Sequence, residues 1–168
     1  ADVLHWTENM YNSRENVEYI LLDCLRVLSR LHIHCRTLHR DPHLGNFLIS
    51  MNGDGRLRAL VHDFGLSEVK AAAGPGVTWA EALKDVRYMI GKSLDSSNPL
   101  VLDFARRLKG VIDKHSTMLG SNEPVEAGGY EMIIREVMKR KNLLIKVKNL
   151  ELISMKRKRQ LATPIYYL

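Results

Sequence analysis

Two short stretches hold side chains whose types and spacing can do chemistry: Leu38-His39-Arg40-Asp41-Pro42-His43-Leu44-Gly45-Asn46, and, sixteen residues after Asn46, His62-Asp63-Phe64-Gly65. Each contributes a carboxylate, and the first adds a carboxamide and two imidazoles. Carboxylate and amide oxygens are hard ligands suited to magnesium, and a carboxylate can also take a proton from a hydroxyl group. Those are the needs of phosphoryl transfer, which is mostly positioning and neutralisation of charge. The same residue types also shape turns and end strands. The order and spacing of the two stretches together point to the chemical reading.

The two stretches reproduce a pattern, H-R-D-x-x-x-x-N followed by D-F-G, that resembles the catalytic and metal-binding loops of the protein kinase-like superfamily. The resemblance runs from about Glu15 to Ile112. It implies that Asp41 orients or deprotonates the attacking hydroxyl and that His39 and Arg40 support the loop, Arg40 meeting a phosphate or carboxylate from the segment after Gly65. It also implies that Asn46 and Asp63 hold magnesium and that Asn46, Asp63 and Gly65 face the nucleotide, so the expected cofactors are ATP and Mg2+. His43 stands where protein kinases often carry lysine. Asp41-Pro42-His43-Leu44-Gly45-Asn46 is similar to the loop of aminoglycoside and choline phosphotransferases and of ubiquinone-biosynthesis-type atypical kinases. The expected activity is transfer of the γ-phosphate to a hydroxyl of a protein or a small molecule; the alternative is a pseudokinase, a kinase-fold interaction module without catalysis.

The resemblance departs at the front and in the middle. The residues before His39 contain no glycine, and no lysine precedes Lys70, so neither a Gly-rich phosphate loop nor a nucleotide-clamping lysine is identifiable. Only 22 residues separate Asp63 from Asp85, without an Ala-Pro-Glu motif. Asp85 resembles the buried aspartate that binds the catalytic-loop backbone in protein kinases, which predicts a buried carboxylate bonded to the turn at His39–Asp41. The expected fold is α+β and mainly helical: a kinase-like C-terminal lobe with a small β-hairpin, the N-terminal lobe largely absent. A protein partner or the missing lobe is expected to cover apolar side chains around the hairpin and the Asp63-Phe64-Gly65 loop, and nucleotide binding without that cover is expected to be weak.

The elements that must position these residues are legible from periodicity. Val17, Ile20, Leu21, Cys24, Leu25, Leu28 and Leu31 recur on one face, predicting a helix over residues 15–32. Phe47–Ser50 and Leu57–His62 flank Asn-Gly and Asp-Gly pairs, the pattern of a hairpin. Thr78 with Glu81 predicts a capping box for a helix over 79–94 that buries Trp79, Leu83, Val86 and Ile90. Asn98-Pro99 predicts the start of another, through Phe104, Leu108 and Ile112. Residues 116–129 read as a surface loop and 130–141 as a fourth helix, while 143–153 fit either a helix or an edge strand.

With 168 residues, 45% of them apolar and 26% charged, the chain suits one globular domain rather than a disordered one. The net charge of +6 is concentrated by Lys156-Arg157-Lys158-Arg159, and the boundaries expected are a lobe over 1–154 and a basic tail over 155–168. The tail could serve as a nucleic-acid or nuclear-localisation patch or simply be solvated. Cys24 and Cys35 match no zinc spacing and suggest no disulfide framework, which with the absence of a signal-like start points to an intracellular setting, cytoplasmic or nuclear. No apolar run is long enough for a membrane span.

Overall fold

The computed structural model describes residues 1–8 and 12–161. Its elements are helix α1 (Val3–Glu8), helix α2 (Arg14–Ile33), strand β1 (Thr37–Leu38), a 3-10 turn (Leu44–Asn46), strands β2 (Phe47–Met51), β3 (Leu57–Val61) and β4 (Glu68–Val69), and helices α3 (Trp79–Ser93), α4 (Pro99–Lys114), α5 (Ser116–Leu119) and α6 (Ala127–Leu161). The fold is α+β and mainly helical.

The helix starts follow from the capping chemistry in the sequence. Ser13 accepts from the Asn16 amide at the start of α2, Thr78 and Glu81 form a complete capping box at α3, and Asn98 accepts from the Leu100 amide just ahead of Pro99. Each cap satisfies an N–H that the first helical turn leaves without an intrahelical partner. Behind the caps, the apolar faces of α2, α3, α4 and α6 meet in one core. Ile20, Leu21, Cys24, Leu25 and Leu28 of α2 pack with Val86 and Ile90 of α3, Phe104, Leu108 and Ile112 of α4, and Tyr130, Ile133 and Val137 of α6.

The hairpin pairs β2 and β3 antiparallel, with Phe47 opposite Val61 and Met51 opposite Leu57. Its inner residues Phe47 and Ala59 enter the core. Asp23, buried on α2, accepts from the Ala59 amide at 2.8 Å and faces the Arg58 guanidinium at 3.8 Å, so one carboxylate fastens the hairpin to the main helix. The first residues add to its edge: Asp2 bridges Leu48 and the Ile49 amide donates to the Ala1 carbonyl at 2.9 Å. A second two-stranded sheet joins β1 to β4, Thr37 opposite Val69, and ties the chain after Gly65 back beside the Asp41 loop.

One expectation needs correction. Residues 116–129 are not a plain surface loop: α5 buries Leu119, Val125 is buried, and the segment's carbonyls serve the start of α3. The amides of Trp79 and Ala80 donate to the Glu123 and Ser121 carbonyls at 2.9 and 3.0 Å. A helix start needs such acceptors, and here distant backbone supplies them. At the C-terminal end, the segment 143–153, open between helix and edge strand in the sequence, is helix: α6 runs unbroken through this stretch and across residues 154 and 155. A strand there would need a partner edge, and the backbone instead continues its own hydrogen bonding from the packed turns at Tyr130–Val137. Residues 162–168 of the basic tail lie outside the described residues. No helix among the described residues is long and apolar enough to cross a membrane.

The root of α6 packs so tightly that a glycine is required there. A Cβ at Gly129 would lie well inside van der Waals contact with the indole of Trp79, a buried ring that cannot swing aside. Gly129→Ala is therefore expected to lower stability by about 1–3 kcal/mol, despite the better helix propensity of alanine, and to alter the Trp79 fluorescence. Denaturant unfolding of the two proteins, with tryptophan emission as the probe, checks both effects.

Candidate functional site

The Asp41 loop is organised by a carboxylate that is distant in sequence. Asp85, on α3, is 2% exposed, and its two oxygens accept from consecutive amides, Oδ2 from His39 N–H at 2.8 Å and Oδ1 from Arg40 N–H at 2.9 Å. This is the buried, loop-bonded carboxylate that the sequence leads one to expect. The grip holds Arg40 at φ 69°, the left-handed region that costs a side-chain-bearing residue of order 1 kcal/mol or more. His32 on α2 completes the shell: its Nε2–H donates to Asp85 Oδ2 at 2.8 Å, and its Nδ1 meets the Tyr130 hydroxyl of α6 at 2.6 Å. Burial pushes the Asp85 carboxyl up, but the hydrogen bond and charge of His32 and the two amides outweigh it and hold it below the usual value of 3.8. Burial raises the Tyr130 phenol well above its ordinary value, so it keeps its proton.

His39, fully buried, links the two chemical stretches. The Asp41 amide donates to its Nδ1 at 3.3 Å, which leaves the proton on Nε2, and that N–H donates to the His62 carbonyl at 2.8 Å. Its ring also packs on Phe64, with centroids 5.2 Å apart. Arg40 turns outward and pairs with Glu68, a carboxylate from the segment following Gly65.

Asp41 lies at the centre of a small polar group. Its Oδ1 accepts from the Tyr88 hydroxyl at 2.6 Å. The Asn46 amide nitrogen donates to the Asp41 carbonyl at 2.8 Å and to its Oδ2 at 3.3 Å. His43 Nδ1 accepts from the Gly45 amide at 3.1 Å, so the Nε2 of its neutral ring carries the proton and faces Asp41 Oδ2 at 3.7 Å. Gly45 permits this arrangement, because a Cβ there would stand 2.9 Å from His43 Cε1.

Asp63 reaches the neighbourhood through the hairpin. The His62 amide donates to the Asn46 carbonyl at 2.9 Å, which extends the β2–β3 ladder by one step and sets Asp63 beside the end of the Asp41 loop. Asp63 sits at φ 62°, is exposed, and has the Gly65 amide 3.5 Å from its Oδ1. Asp41, His43 and Asn46 are thus in mutual contact, Asp63 and Gly65 follow from the adjoining strand, and Arg40 is directed elsewhere.

The donor set suits magnesium better than a tightly caged ion. The nitrogen of the Asn46 carboxamide is committed to Asp41, so its oxygen is the atom that would be left for a metal, with the Asp63 carboxylate as a second donor. Among the described residues no cluster of three or more His, Cys, Asp or Glu side chains could hold a metal on its own. Magnesium commonly binds through one or two protein oxygens together with phosphates and water.

Three residues that sequence reasoning passed over take part. Tyr88 is three positions beyond Asp85, one helical turn on, so it shares the face that meets the loop, and that spacing was a usable signal. Its hydrogen bond to Asp41 raises the phenol above its ordinary value. His32 and Tyr130 carried no local signal, since only packing brings α2 and α6 to Asp85. The chain matches no protein-family model and no curated protein sequence.

Proposed function

We propose that the chain is the C-terminal lobe of a kinase-fold phosphotransferase, which passes the γ-phosphoryl group of ATP to a hydroxyl group. The observation that carries this reading is the Asp85 grip on the His39 and Arg40 amides, because it fixes the Asp41 loop in a strained turn and presents a base beside an amide ligand. Residues held at a backbone cost cluster at functional sites. Asp41 orients the acceptor hydroxyl and takes its proton. Asn46 and Asp63 would hold magnesium, which supplies neutralisation of phosphate charge when bound. His39 keeps the two halves in register through His62, and Arg40 anchors the following segment on Glu68.

The apolar face beside the site supports a partner for this lobe. Leu60, Leu66 and Val69 are 52%, 64% and 72% exposed, and Leu48, opposite Leu60 in the hairpin, and Phe64 are exposed as well. Patches of this kind mark interfaces. The face takes a further protein element, an N-terminal lobe or a separate chain, that supplies the contacts to adenine and the α- and β-phosphates. The same face favours a second reading, a noncatalytic kinase-fold module whose function is the interaction itself.

Titration calorimetry with Mg-ATP separates the two. The phosphotransferase reading expects weak but saturable binding that falls about tenfold or more in Asp63→Asn, since one charged ligand to magnesium is lost. Binding that is absent, or indifferent to Asp63→Asn, would count for the interaction module.

A further inference from the structure

Asp41 borders a cavity of about 400 Å3, lined also by Tyr88, Lys92, Ser93, Asp95 and Glu8. We propose that this cavity is the acceptor site and that the acceptor is a compact polyol, not a polypeptide; the acceptor role rests on the phosphotransferase reading.

Three observations carry it. The first is position: the cavity reaches the carboxylate assigned as base, and the Tyr88 O–H already donates to Asp41 Oδ1 at 2.6 Å. That is the contact an acceptor hydroxyl must make before it loses its proton. Tyr88 therefore marks the place, and a bound hydroxyl shares Oδ1 with it or displaces it.

The second is size. The volume falls at the lower end of the range for small-molecule sites, about 300–1,000 Å3. A peptide acceptor would use a strand edge or an open groove, and the segment after Gly65 is fastened back onto the fold. The Lys70 amide donates to the Arg36 carbonyl at 2.8 Å, the Arg36 guanidinium donates to the Ala71 and Gly74 carbonyls, and Lys70 pairs with Glu81 of α3.

The third is the alternation of charge in the wall. Asp41, Asp95 and Glu8 accept, whereas Lys92, whose Nζ stands 5.7 Å from the Tyr88 ring centroid, donates. An ammonium ligand would satisfy the carboxylates but oppose Lys92, and an anion would satisfy Lys92 but oppose three carboxylates. Hydroxyl groups both donate and accept, so a polyol meets both sets of wall groups without leaving a charge facing its like. In the transfer itself, the polyol oxygen forms the new bond to the γ-phosphorus, the bond to the β–γ bridging oxygen breaks with its electron pair leaving on ADP, and the hydroxyl proton passes to Asp41.

The test is a titration of the isotope-labelled full chain, without nucleotide, with myo-inositol, sorbitol, ethanolamine and a serine-containing peptide, following the Tyr88 and Lys92 resonances. Saturable shifts with a polyol are expected, with affinity reduced about tenfold in Asp95→Asn and in Lys92→Met, both at exposed positions outside the core. Saturable shifts with only ethanolamine or only the peptide, or no shift with either polyol, overturn the proposal. The same four compounds are then offered with labelled Mg-ATP. Transfer to the peptide alone also overturns it while leaving the phosphotransferase reading intact. Polyol binding without any nucleotide binding supports the polyol site and counts against phosphotransfer.

Discussion

Replacing Asp85 with alanine is expected to destabilise the fold by about 3–5 kcal/mol, the range found when one partner of a buried charged network is removed. The size follows from what is left behind. The His39 and Arg40 amides and the His32 Nε2–H all lose their acceptor at once, around a carboxylate that is 2% exposed. Each orphaned donor costs about 1–3 kcal/mol, and the left-handed turn at Arg40 loses the contact that compensates it. Chemical denaturation monitored by circular dichroism measures the loss. The pH dependence gives an independent check, and its sign is fixed by the depressed carboxyl. Because Asp85 lies below 3.8 in the folded protein, its contribution is complete above that unfolded value and disappears as pH falls through the lower folded one. The wild type should therefore lose stability on that acid limb more steeply than Asp85→Ala. Equal slopes and a change in stability below 1 kcal/mol would show that the carboxylate does not hold the loop.

Under the proposed phosphotransferase reading, Asp41→Asn is expected to lower phosphoryl transfer by about 10²–10⁴-fold while changing nucleotide affinity little. Asparagine has nearly the same shape and still accepts from Tyr88 through its oxygen, so the loop should persist. What it lacks is the capacity to take a proton, and its amide nitrogen would face the Asn46 nitrogen that now donates to Oδ2. Single-turnover assays with the covering element present, together with Mg-ATP titrations, separate the two quantities. Retained turnover would remove Asp41 from the role of base. Reduced turnover accompanied by lost nucleotide binding would indicate a collapsed loop, and a comparison of thermal melting would expose it.

The candidate residues stood out in the sequence because part of their bonding is local. His39, Asp41, His43, Asn46 and Asp63 lie on two turns with many contacts only two to five positions apart, and their order and spacing carried the kinase-like resemblance that brought them to attention. Local bonding also marked the helices with capping chemistry and the β2–β3 hairpin, whose Asn-Gly and Asp-Gly pairs specify a reversal within a few residues. Asp85 was legible for a related reason: an acid among apolar neighbours needs donors.

Tertiary structure decided everything that depends on a partner remote in the chain. His32 lies 53 residues from Asp85 and 98 from Tyr130, and nothing near it in sequence distinguishes a hydrogen-bonded core histidine from an exposed one. The ambiguous 143–153 segment became helix because α6 was already nucleated by the packing of Tyr130 and Ile133 against the core, and extending a helix costs far less than starting one. Residues 121–125 were drawn into the fold because the first turn of α3 had amides to satisfy. The cavity beside Asp41 is of the same kind. Its wall joins Glu8, Asp41 and Asp95 from separate parts of the chain, and only their packing brings three ordinary acids to one side of a cavity.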